Sequence, residues 1–270
     1  MTQTEPTLST RSSLSPVIEN NPPAIAIEHL NFSYPDYAHA IHQVNLTVQP
    51  GERIGIVGAN GCGKTTFFLL LCGILAPTHG TIHLLGKAVR PGTFHTDIGL
   101  VFQNPDDQLF STTVWQDVAF APQNIGLSPE EVEQRVNTAM ALTQIQDLAQ
   151  RPPHHLSGGQ KKRVAIAGVL AMNPEILLLD EPSAQLDPHS RRQLIRLLDS
   201  LPQTQLIATH DLDLALDLCD RTLLFSQGQI ICDGDTYRIL GNAELLEQHA
   251  LELPLSYSRP YCLLQDFDHK

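Results

Sequence analysis

The sequence predicts an α/β fold in which buried parallel strands alternate with helices, joined to an antiparallel β subdomain and an inserted helical subdomain. Three observations carry this. First, the apolar run "RIGIV" (53–57) leads into a glycine-rich turn and then "TTFFLLLCGILA" (65–76), a strand, a tight turn and a buried helix. Second, "EILLLDEP" and "QLIATH" are continuous apolar runs ending in polar groups, as suits central parallel strands buried on both faces. Third, "SPEEVEQRVNTAMALTQI" (128–145) has helical period, with Ser128 and Glu131 as a capping box and Pro129 at the first helical position.

In chain order, residues 1–24 are rich in Ser, Thr, Pro and Asn and are expected to form a flexible tail; they lack the apolar segment of a secretory signal. "AIAIEHLNFSY" and "AIHQVNLTVQPGERIGIVG" alternate apolar and polar residues, as strands of a partly antiparallel sheet do. The helical subdomain is expected over about 105–165. "LDPHSRRQLIRLL" reads as a helix with Asp187 as cap and Pro188 at its start, and "RTLLFSQGQIICDG" as a hairpin turning at Gln227 and Gly228. Residues 25–240 are expected to form one cassette without internal repeat, followed by a C-terminal extension at 241–270.

Composition narrows the function classes. The 29 acidic and 17 basic residues give a formal charge of −12, which opposes sequence-tolerant binding to nucleic acid. The five cysteines are scattered and never spaced as CxxC, so neither a disulfide framework nor a zinc site is expected, and a reducing cytosol fits. The longest apolar stretch, 67–76, falls well short of the ~20 residues that cross a bilayer. Work at a membrane therefore calls for other chains. The histidine pairs His39 with His42, His79 with His83 and His154 with His155 have spacings compatible with metal, but surface or packing roles are the expectation.

The chemistry is concentrated in four places. Gly58, Ala59, Asn60, Gly61, Cys62, Gly63, Lys64, Thr65 and Thr66 complete the Walker A pattern between a strand and a helix. Such a turn aims backbone N–H groups at a helix N-terminus, where an anion is favoured. Lys64 is assigned to the β- and γ-phosphates and Thr65 to Mg²⁺. At the end of "ILLLDE", alternation along a strand lets Asp180 address Mg²⁺ while Glu181 faces the attacking water. Ser157, Gly158, Gly159 and Gln160 in "LSGGQ" open a second helix N-terminus, although one chain holds a single triphosphate at its own Walker A. A partner's nucleotide resolves that surplus.

With Walker A, "ILLLDEP" and a later histidine, "LSGGQKKRVAIA" resembles the signature of ATP-binding cassette (ABC) ATPases, and the resemblance covers roughly 25–240. It implies a P-loop NTPase (RecA-like) core binding ATP and Mg²⁺. It further implies that Tyr34 stacks on adenine and that Gln103 touches Mg²⁺ where the membrane subunit is sensed. Ser157 and Gly159 are to contact the γ-phosphate held by the opposite protomer, Asp187 to lie at the dimer interface, and His210 to hold the γ-phosphate and orient Glu181 and the water.

The stretch "FQNPDDQLF" with "TV", "DVAF" and "GL" after it resembles the ATPases of energy-coupling factor importers, which take up vitamins or cobalt and nickel ions. The resemblance implies a homodimer or paralogous heterodimer on the cytoplasmic face of the cell membrane, beneath a transmembrane coupling subunit and a substrate-binding membrane subunit. Residues after Gln103 are then to shape the docking groove. Three other readings stay open: an ABC transporter ATPase of another class, a soluble ABC ATPase without a membrane role, and a P-loop enzyme such as a small-molecule kinase.

Overall fold

The computed structural model describes residues 22–258. Most of the expected tail, residues 1–21, and the end of the extension, residues 259–270, lie outside the described residues. The chain begins with strands β1 (Ile25–Tyr34), β2 (Tyr37–Val48) and β3 (Arg53–Val57), then helix α1 (Lys64–Leu71). Strands β4 (His79–Leu84), β5 (Lys87–Ala88) and β6 (Ile98–Val101) precede helices α2 (Val114–Asn124), α3 (Pro129–Leu142) and α4 (Gly158–Leu170). Alternation then returns with β7 (Ile176–Asp180), α5 (Pro188–Ser200), β8 (Thr204–Thr209), α6 (Leu212–Leu218), β9 (Arg221–Ser226) and β10 (Gln229–Asp235). Short helices α7 (Thr236–Leu240), α8 (Ala243–Gln248) and α9 (Leu255–Ser258) close the described chain.

Two sheets form, ordered β2-β1-β4-β5 and β10-β9-β3-β8-β7-β6. The first is antiparallel; the second is parallel except where β10 meets β9. The apolar runs explain the layering. Every residue of β7 is buried, and successive side chains point to opposite faces. Ile176 and Leu178 enter a core shared with α1 and the antiparallel sheet, while Leu177 and Leu179 enter one shared with α2 to α6. Phe67, Phe68, Leu70 and Leu71 place α1 between the two sheets, which fixes the glycine turn preceding it at the C-terminal edge of β3.

The caps read from the sequence close as expected. Ser128 and Glu131 form the reciprocal capping box of α3 with Pro129 behind it, and Asp187 caps α5 through the His189 and Ser190 amides. Helices α2, α3 and α4 pack on one another around Val118, Val136 and Val164, and α4 continues past the expected end of the helical subdomain to Leu170. Residues 241–258 lie against the cassette: Leu246 is buried with Leu212 and Leu240, and the Asp213 carboxylate accepts the Leu255 and Ser256 amides. No helix among the described residues is long and apolar enough to cross a membrane.

Candidate functional site

A cavity of about 520 Å³ opens where β3, β7 and β8 end. Its floor is the turn before α1. Gly63 caps that helix with φ 114° and Gly61 has φ 76°, left-handed conformations that glycine adopts freely. Gly58 is required for a different reason: a Cβ there would lie 2.2 Å from the Phe225 carbonyl oxygen. The Lys64 ammonium is buried and folded back over the turn, donating to the carbonyls of Gly58 (2.8 Å) and Ala59 (3.2 Å). This leaves a cationic, amide-lined cup at a helix N-terminus, a geometry suited to phosphate.

Oxygen donors flank the cup. The Thr65 hydroxyl donates to Asp180 Oδ2 at 2.7 Å, and Gln103 lines the same cavity. Hydroxyl, carboxylate and amide oxygens converging beside a phosphate site suit Mg²⁺, which keeps several waters and takes few protein ligands, so the donor set fits that ion. Burial raises the Asp180 carboxyl above its usual range; the Thr65 hydrogen bond opposes this, neighbouring Glu181 adds to it, and Lys64 and Lys162 pull the other way.

Glu181 departs from the alternation expected of it. The strand stops at Asp180, and Glu181 turns into a left-handed conformation (φ 44°) while its amide bonds the Ala208 carbonyl at 2.8 Å. The cause is visible in its contacts. One oxygen, Oε2, meets the His210 amide at 3.2 Å, the Thr209 hydroxyl at 3.4 Å and His210 Nδ1 at 2.7 Å. The carboxylate is thereby held at the cavity with Oε1 outside this set of bonds. His210 is 60% exposed in its side chain, against 6% for Glu181, so the histidine sits at the open rim.

Tyr34, Asn60, Gly61, Gly63, Lys64, Thr65, Thr66, Gln103, Asp180, Glu181 and His210 all line this cavity. Tyr34 is partly exposed, stands edge-on to Phe32 and shares a 3.2 Å hydrogen bond with Thr66. Gly58, Ala59 and Cys62 form the back of the turn instead, with Cys62 buried and its carbonyl taking the Gly228 amide at 2.9 Å. The signature lies elsewhere. Ser157, Gly158, Gly159, Gln160 and Asp187 do not line the cavity; Ser157 and Gln160 form a reciprocal capping box on α4, and a Cβ on Gly159 would meet Ser190 at 2.7 Å.

Sequence reasoning missed four contributors. Tyr37 pairs with Tyr34 across the β1–β2 turn and lines the cavity with Ala40; an aromatic repeated three residues on was the available signal. Gly228 backs the phosphate turn, and Lys162 is buried beneath Gln103. Desolvation pushes the Lys162 ammonium down to about 8 against the opposing pull of Asp180 and Glu181. The local pattern marks Gly228 only as a hairpin turn residue, and nothing in it marks Lys162. Among the described residues no group of three or more His, Cys, Asp or Glu is placed to hold a metal ion; His39 and His42, and His154 and His155, pack ring against ring.

Comparison with known proteins shows the family of the chain. The family model described as ABC transporter matches residues 41–184. A putative ABC transporter ATP-binding protein of Synechocystis sp. is 53% identical over 87% of this chain and 83% of its own. The energy-coupling factor transporter ATP-binding protein EcfA of Methanococcus maripaludis is 46% identical over 83% of this chain and 84% of its own. Among solved structures, cbiO1 from Clostridium perfringens, part of the ABC transporter complex cbiONQ, superposes with TM-score 0.75 and 39% identity over 84% of this chain and 94% of that one. A dimeric ATP-binding cassette in a post-hydrolysis state bound to ADP and Pi gives TM-score 0.70 and 26% identity over 78% of this chain and 98% of that one.

Proposed function

This chain belongs to the ABC transporter family as an ATP-hydrolysing subunit of the energy-coupling factor type that uses ATP and Mg²⁺, and from that premise we propose that it drives uptake of a metal ion, cobalt or nickel, or of a vitamin. In this reading residues 25–240 are the motor, working on the cytoplasmic face of the cell membrane beneath a transmembrane coupling subunit and a substrate-binding membrane subunit. A second ATPase subunit, the same chain or a paralogue, completes each site. One observation carries the pairing: the cavity holds every predicted group except Ser157, Gly158, Gly159, Gln160 and Asp187, with Gly58, Ala59 and Cys62 forming its turn. Two half-sites on separate surfaces of one chain become whole sites only across a partner.

The chain's own groups have distinct roles. The amides of the phosphate turn and Lys64 bind and orient the β- and γ-phosphates; Tyr34 receives the base. Mg²⁺ neutralises charge on the phosphate oxygens when bound, and Thr65, Asp180 and Gln103 are the residues that hold it. Glu181 accepts a proton from the attacking water through the oxygen outside its His210 and Thr209 contacts. His210 fixes that carboxylate and reaches the γ-phosphate from the rim, and Ser157 and Gly159 of the partner close the site over it. Closure can shift the membrane subunits only by as much free energy as the open and closed states differ in their affinity for ATP.

The groove between β6, α2 and α4, about 710 Å³ and lined by Phe94, Phe102, Phe110 and Phe120, is the docking surface for the coupling subunit. The experiment is purification of the tagged chain from membranes with identification of bound subunits, together with metal and vitamin uptake by cells lacking it. Recovery with two integral membrane proteins and loss of one uptake activity are expected. Recovery with ribosomes or DNA-repair proteins would instead place the motor outside transport.

A further inference from the structure

We propose that Lys162 is a positioning residue that locks the Gln103 segment to the helix carrying Ser157, so that both ends of the nucleotide machinery move as one body. Lys162 is 2% exposed, one of the largest fully buried side chains of the described residues. Its ammonium donates to the Gln103 carbonyl at 2.6 Å and the Phe102 carbonyl at 3.2 Å, and it forms no salt bridge to a carboxylate among the described residues. Burying an ammonium that has only the longer-range pull of Asp180 and Glu181 and no direct ion pair is costly, and a hydrocarbon of equal volume would fill the space at less cost. What the ammonium adds is direction: it fixes two successive carbonyls where β6 ends, and hence the place from which the Gln103 side chain enters the cavity.

The surrounding contacts extend the lock. One residue earlier, Lys161 pairs with Asp106 at 2.6 Å. One turn later, the Ala165 carbonyl takes the Gln108 side-chain amide at 3.4 Å, while Gln108 Oε1 accepts the Phe102 amide at 3.3 Å. The 102–108 segment is therefore held to α4 at three places, with Lys162 alone gripping the backbone of Gln103. Ser157 precedes Lys162 by about 7–8 Å along the helix axis at 1.5 Å per residue. Phe102, Gln108, Ala165 and Gly168 also line the apolar groove, so a load on the groove displaces Gln103 and Ser157 together. This deepens the reading above, resting on Gln103 and Ser157 as site residues.

The test compares full-length wild type, Lys162→Met, Lys162→Gln and Lys162→Arg by amide hydrogen exchange, nucleotide binding and steady-state hydrolysis. In Lys162→Met the 102–108 amides should exchange about tenfold faster or more while α3 and β7 stay protected. ATP affinity should stay within about threefold, kcat should fall by about tenfold or more with KM little changed, and Lys162→Arg, which restores donors to both carbonyls, should recover most of the loss. Should Lys162→Met fail to fold, Lys162→Gln, with a shorter neutral donor, should show the same localised exchange to a lesser degree. Unchanged 102–108 exchange in both neutral variants would overturn the proposal. So would uniform loosening of α2 to α4 with no rescue by arginine. A wild-type chain that hydrolyses no ATP would sink the catalytic reading, while the exchange comparison still decides the lock.

Discussion

Replacing Glu181 with glutamine tests the assignment of the proton acceptor, and the structure sets the scale of the effect. All three contacts of the carboxylate fall on Oε2: the His210 amide, the Thr209 hydroxyl and His210 Nδ1. These are donors, so the carbonyl oxygen of the substituted side chain takes that position and keeps them. Its –NH₂ then occupies the place of Oε1, facing the cavity with a donor where the water needs an acceptor. Shape and packing are retained, so the fold should change by less than about 1 kcal/mol. Turnover loses a positioned base, roughly 10²–10⁴-fold, which at 1.36 kcal/mol per decade raises the barrier by about 2.7–5.4 kcal/mol. The assay is phosphate release at saturating MgATP beside equilibrium binding of ATP. Turnover within about threefold of wild type, with binding intact, would remove Glu181 from the reaction.

Three further outcomes follow from particular contacts. Ser157→Arg should leave ATP binding to the isolated chain unchanged but abolish ATP-dependent dimers in gel filtration, because the arginine is introduced at the signature face and not at the chain's own cavity. Gly228→Ala places a Cβ 2.6 Å from the Ala40 carbonyl oxygen at φ 75°; since the Gly228 amide also holds Cys62, the change should cost about 2 kcal/mol or more, lower Tm by about 4–8 °C and weaken ATP binding. For Asp211, burial acts to raise the carboxyl, but hydrogen bonds from Arg191, Leu214 and Ser183 outweigh it and hold it below its ordinary value. A group depressed in the folded state stabilises above its unfolded value near pH 4 and loses that contribution as pH falls through the folded value. Arg191→Met should therefore lower stability at pH 7 by about 1–2 kcal/mol and flatten the acid limb of an unfolding-against-pH curve.

The parts of this molecule that were legible in sequence are those set by local patterns. Continuous apolar runs marked β7 and β8, and Ser128, Glu131, Pro129, Asp187 and Pro188 marked helix starts that close as written. The glycine turn was legible because its chemistry needs consecutive residues. Glu181 was recognised as a residue but not as a left-handed one, because its conformation is imposed by β8 through the Ala208 carbonyl and the His210 amide. The site roles of Gly228, read only as a hairpin turn residue, and of Lys162 were hidden for the same reason. Each acts on a backbone carbonyl far away in the chain, Cys62 for one and Gln103 for the other, and a backbone partner leaves no residue type to search for.

The most direct measurement is the molar mass of the Glu181→Gln chain by light scattering, with and without ATP, set beside the turnover of the wild-type chain at matched concentrations. With a second copy as partner, reciprocal completion of two sites requires a shift from 29.8 kDa to twice that value when ATP binds and wild-type turnover per chain that falls on dilution; with a paralogue as partner, the ATP-dependent rise in mass and the turnover both require that the paralogue be added. A wild-type chain that stays at 29.8 kDa while saturated with ATP and hydrolysing it would contradict the account.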